Sequence, residues 1–129
     1  MVVPLPIGSL IFALVCDIVY AVGGDPFWAT AAMWLIGAGI VTGLVAGVLG
    51  AIEFITIARA RNGTGWIHAI GNIAAIILAA VNFGLRMPDS AAVIVPEGLI
   101  LSIIIVGILL VTGWTGGELA YRHKIGVID

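Results

Sequence analysis

Charge is what this sequence has least of: five Lys and Arg and seven Asp and Glu leave only 9% of 129 residues charged, against about a quarter in a soluble domain. That scarcity excludes a water-solvated globule, since too few polar side chains exist to cover its surface. Cysteine occurs once, at Cys16, so no internal disulfide forms, and its apolar surroundings suit a small buried hydrophobe. The formal charge of -2, without a basic stripe interleaved with aromatics, excludes a nucleic-acid surface. Also missing are a Cys-x-x-Cys-His attachment motif, a His-Glu-x-x-His zinc motif, a phosphate loop and a Ser-His-Asp set. Ordinary soluble-enzyme chemistry finds no support, and the expectation is a protein that is not an enzyme.

What is abundant is apolar: 62% of residues are hydrophobic and the mean hydropathy is +1.27. Four apolar stretches, at about 5–22, 27–58, 66–85 and 98–121, approach or exceed the roughly 20 residues that span a hydrocarbon core. With no water in the bilayer core, each must be helical so that its backbone polar groups pair internally. The fold class is therefore all-α: one domain, residues 1–129, forming an integral membrane bundle of four transmembrane helices with lipid as its first partner.

Turn signals separate the stretches. Gly23-Gly24-Asp25-Pro26 offers Asp25 as cap and Pro26 as first-turn residue of the second helix. Arg61-Asn62-Gly63-Thr64-Gly65 closes the second, and Pro96-Glu97 starts the fourth with an acidic first turn. The second stretch would be about 48 Å long as ideal helix, so it must tilt, bend or project from the membrane. Ala21-Val22-Gly23 has the small residues of a leader cleavage site, but Asp17 and the absence of a basic n-region argue against a cleaved leader.

Four crossings put the second linker and the C-terminal tail on one face, and these hold Arg59, Arg61, Arg122 and Lys124. The opposite face has only Arg86, so the positive-inside rule places both termini in the cytoplasm.

Membrane helices associate through close packing and hydrogen bonds, which makes small residues and intramembrane polar groups the informative ones. Gly39, Gly43 and Gly47 recur at four-residue spacing in the second helix, as do Gly113 and Gly117 in the fourth, and both sets read as packing faces. His68, Asn72, Ala75, Ala79 and Asn82 lie within about 40° of one line on the third helix, a face small and polar throughout. Asp17, Glu53, Asn72, Glu118 and Arg122 are the candidate buried polar groups. Asp17 stands apart and reads as a carboxyl tying the first helix to a neighbour. Glu118 precedes Arg122 by four residues, the spacing of a helical ion pair.

Two sharper readings compete with structural ones. His68 and His123 fall at one depth on different helices, the arrangement of an axial pair for haem b, although both also suit interfacial positions. Asp17 and Glu53 would serve a proton or ion pathway, but four helices leave little room for alternating access without oligomerisation.

The chain resembles the bacterial membrane-protein family known as domain of unknown function 2231. The resemblance rests on Leu5-Pro6-Ile7-Gly8, Gly24-Asp25, Thr64-Gly65-Trp66-Ile67-His68 with Asn72, and Thr112-Gly113-Trp114-Thr115-Gly116-Gly117-Glu118-Leu119 running into Tyr121-Arg122-His123. It covers nearly the whole chain. It implies four transmembrane helices in a bacterial inner membrane, and the joining of some relatives to Rieske-type domains points toward electron-transfer membranes. Many relatives carry histidines before the Pro-Ile-Gly, where this chain has Val3, Pro4 and Leu5, which weakens a redox-centre reading. The resulting expectation is a structural or accessory subunit, packed against other membrane subunits or further copies of itself in an energy-transducing complex.

Overall fold

The computed structural model describes residues 2–122, 124 and 125. Among these, four helices are long and apolar enough to cross a membrane and no strand occurs. Helix α1 runs Pro4–Gly23, α2 Pro26–Thr56, α3 Gly63–Arg86 and α4 Leu99–Tyr121. A short 3-10 turn, Ala58–Arg61, joins α2 to α3. An irregular turn, Ile94–Gly98, feeds α4; Val95 is extended there and the Val95–Pro96 peptide bond is cis.

Local chemistry sets these boundaries. Gly24, with φ 73°, terminates α1 in the left-handed conformation that glycine adopts without strain, and its N–H donates to the Tyr20 carbonyl. The Asp25 carboxylate accepts from the Phe27 N–H, and Pro26 occupies the first turn, where a missing N–H costs nothing. Asn62 repeats the device for α3 by accepting from the Gly65 N–H at 2.7 Å. The third helix therefore starts three residues earlier than the hydrophobic run suggests. It also continues through Arg86.

The helices form an antiparallel ring, with α1 packed on α2 and α4, and α3 packed on α2 and α4. The central layer is Leu10, Ala13, Ile36, Ala75, Ala79, Ile105 and Leu109. Its alanines let the backbones come close, the usual means of association where lipid is as apolar as leucine. A smaller cluster of Ala60, Leu119 and Ile125, covered by Phe54 and Ile57, closes one end.

At 31 residues α2 is about 46 Å long, against 20 residues and about 30 Å for α1. Every fully buried residue of α2 lies at or before Gly43, where a Cβ would meet Pro6 near the start of α1 and Ile76 on α3. Beyond it Leu44, Val45, Val48, Leu49, Ile52 and Ile55 are exposed. The last three turns of α2 outrun the helix that covers the first half.

Candidate functional site

The central observation is a charged cluster sealed inside one end of the bundle. Asp17 on α1 and Arg86 at the end of α3 are both 0% exposed and paired bidentately: Arg86 Nη1 donates to Asp17 Oδ1 at 2.6 Å and Nη2 to Oδ2 at 2.7 Å. This fork geometry matches a planar guanidinium to a carboxylate and is the strong form of the interaction. Ser102 on α4 adds a third bond, its hydroxyl donating to Asp17 Oδ2 at 2.7 Å. Asn82, one turn before Arg86, accepts from Arg86 Nε at 2.9 Å and donates to Ser102 Oγ at 3.1 Å. Its amide also reaches the Gly98 carbonyl at 3.5 Å. Three helices and the turn before α4 are tied by one network.

The backbone is shaped to hold it. A Cβ on Gly98 would stand 2.8 Å from Arg86 Nη2, so only glycine lets the turn close over the guanidinium. No buried side-chain nitrogen or oxygen among the described residues lacks a partner. Complete satisfaction is the condition under which charges survive in a low-dielectric interior. Both carboxylate oxygens of Asp17 accept hydrogen bonds and neither faces water, so the side chain is committed to holding α1 against α3 and α4.

Arg86 was counted above as a loop charge on the non-cytoplasmic face, and the structure corrects this. Helix α3 extends far enough to make Arg86 its last residue, on the same line as Asn82, and the side chain turns inward instead of out to water. Asp17, which stood alone in sequence, has Arg86 as its partner.

At the opposite end of α3, His68 Nδ1 lies 2.9 Å from the Thr112 carbonyl, and Asn72 Nδ2 lies 3.1 Å from His68 Nε2 and 2.8 Å from the His68 carbonyl. A carbonyl only accepts and an amide nitrogen only donates, so this network assigns His68 the neutral tautomer with its proton on Nδ1. The interhelical bond therefore belongs to His68, while Asn72 bonds one turn back on its own helix and orients the ring. Two glycines absent from the sequence-derived packing set make this approach possible. A Cβ on Gly116 would lie 2.8 Å from the His68 ring, and one on Gly71 would overlap the Thr112 methyl.

The remaining candidates fall as follows. Glu118 and Arg122 form the expected pair at the end of α4, Nη1 to Oε1 at 2.9 Å, but neither is a buried polar group: Arg122 is exposed and Glu118 half-exposed, because the pair sits on the outer side of the last turn. Glu53 is exposed near the end of α2 and is not a buried polar group, because at this level it is the neighbouring Phe54 that packs against Trp66 and the Leu119 cluster. It and Asp17 sit at opposite ends with the apolar layer between them. Both ring nitrogens of His68 are occupied by protein, so axial ligation of haem b would first require breaking the Asn72 or Thr112 contact. His123 lies outside the described residues.

Of the predicted packing glycines, Gly39 and Gly43 do admit neighbours, with Leu10 Cγ 2.7 Å from a Cβ at Gly39. Gly47, Gly113 and Gly117 have nothing within 4 Å of a Cβ, so they do not serve contacts inside this bundle and leave open space beside their helices. Four-residue spacing marks a stripe on a helix without saying which side of the bundle it faces.

No curated protein and no solved structure matches this chain. The family described as a predicted membrane protein, DUF2231, matches residues 1–129. A four-helix membrane chain matched from end to end in this way belongs to that family.

Proposed function

We propose that this protein is a non-catalytic accessory subunit of a bacterial inner-membrane assembly, with both termini in the cytoplasm. The observation that carries the reading is the stretch of α2 between Gly43 and Phe54, which α1 does not reach and no buried residue interrupts. Gly47 and Gly50 lie there with open space where a Cβ would point, amid exposed Leu44, Val48 and Ile52. An outward glycine on a membrane helix contributes little to its own bundle and permits close approach by another transmembrane helix. The interior favours the same reading, since its charged groups are consumed in holding helices together and are sealed from water.

Orientation is supported by the charges that remain at the ends. Arg59, Arg61, Arg122 and Lys124 are all exposed at one end of the bundle, whereas Arg86, the sole base near the other, is internally neutralised. The bias relevant to the positive-inside rule is thus stronger than a count of sequence positions implies. Reporter fusions at both termini should give cytoplasmic signals, and a periplasmic signal from either refutes the topology.

Gentle extraction from the native membrane followed by native mass spectrometry tests the subunit reading. The expected species is heavier than one chain and contains a second membrane protein. A solitary chain under every mild condition would contradict it.

A further inference from the structure

The far end of α4 carries a groove of about 370 Å³ lined by Gly113, Trp114, Gly117, Glu118, Tyr121 and Arg122. Its floor is bare, since a Cβ at Gly113 or Gly117 would meet nothing within 4 Å, and its aromatic walls are open, with Trp114 77% and Tyr121 85% exposed. At the mouth Arg122 Nη1 donates to Glu118 Oε1. Among the described residues no hydrogen bond engages Arg122 Nε or Nη2, or the second oxygen of Glu118.

Depth identifies the surroundings. The 23 residues of α4 rise about 34 Å, a few ångströms more than a hydrocarbon core, and its polar last turn falls at the edge of that core. Glu118 and Arg122 therefore stand at headgroup level. Gly113 lies about 13 Å along the axis from Arg122, beside the acyl chains. An aromatic residue between those levels is typical of the membrane boundary.

We propose that this groove is a phospholipid site preferring a headgroup with a primary ammonium, of the phosphatidylethanolamine type. The remaining Arg122 N–H groups donate to the phosphodiester oxygens. The ammonium donates to the second carboxylate oxygen of Glu118, and one acyl chain lies over Gly113 and Gly117 against Trp114. Charge complementarity selects this occupant, because the mouth presents one cation beside one anion and the headgroup presents the same pair reversed. A choline headgroup has no N–H to donate. A glycerol headgroup has no cation and meets the Glu118 charge unbalanced. The site is on α4, separate from the open stretch of α2, and does not depend on the subunit role.

Native mass spectrometry of the purified full chain, offered dioleoyl phosphatidylethanolamine, phosphatidylcholine and phosphatidylglycerol at equal concentration, tests it. Phosphatidylethanolamine should be retained about fivefold over either competitor, the scale of one exposed charge-assisted contact. Glu118→Gln should abolish the preference over phosphatidylcholine and raise phosphatidylglycerol retention, and Arg122→Gln should weaken all three lipids. Both side chains are at the surface, so the variants keep the fold. Equal retention of the three lipids by the unaltered protein would overturn the proposal, as would an ethanolamine preference that survives Glu118→Gln. A disulfide-linked dimer formed by Gly117→Cys in a Cys16→Ala background would also overturn it, by giving the groove to a second copy.

Discussion

Replacing Asp17 with valine would strand the Arg86 guanidinium among apolar side chains, with Nη1 deprived of its acceptor and Nη2 left only Ser102 at 3.5 Å. Removing one partner of a buried pair costs about 3–5 kcal/mol, and a lone cation at bilayer depth costs a similar amount, roughly 2.5–3.5 kcal/mol on insertion scales. Arg86→Met strands the carboxylate instead, leaving Ser102 as its sole donor, and should cost about 3 kcal/mol. The double variant removes both charges and keeps the Asn82–Ser102 bond, so its stability should fall within about 1 kcal/mol of the parent. The cycle therefore predicts a coupling energy of roughly 5 kcal/mol or more. Unfolding in mixed detergent micelles, followed by the fluorescence of the four tryptophans, measures all four corners. Additive losses, or single variants within about 0.5 kcal/mol of the parent, would refute the reasoning that the pair is a sealed lock across α1, α3 and α4.

Gly71→Ala should cost about 1–3 kcal/mol in the same assay because its methyl overlaps Thr112, whereas Gly47→Ala, with open space, should be neutral or slightly stabilising. Equal effects would show that close α3–α4 approach does not depend on Gly71. His68→Ala, which removes the bond to the Thr112 carbonyl, should destabilise by about 0.6–2 kcal/mol, with Asn72→Ala costing less because it only releases the ring. A larger loss for Asn72→Ala would contradict that order.

The four helices were legible because uninterrupted apolar runs have no alternative in a bilayer, and Asp25-Pro26 announced its cap through residue type alone. The internal wiring was less so. Arg86 follows Asn82 by four residues and extends the small polar face that began at His68, a signal that was present but masked by treating the charge as the start of a loop. Asp17 is 69 residues away in sequence, and only the antiparallel arrangement of two hairpins brings it to the same level. The glycines divide likewise. Gly39 and Gly71 are indispensable to contacts while Gly47 and Gly113 are not, because a helical repeat fixes relative angle and not the rotation of the helix within the bundle.

Photo-crosslinking in the native membrane is the most direct test of the subunit account. A photoreactive residue at Gly47 on the open stretch of α2 is compared with one at Val81, an exposed position on α3. The account predicts one defined protein adduct from Gly47 and lipid adducts from Val81. Lipid adducts alone at both positions would contradict it.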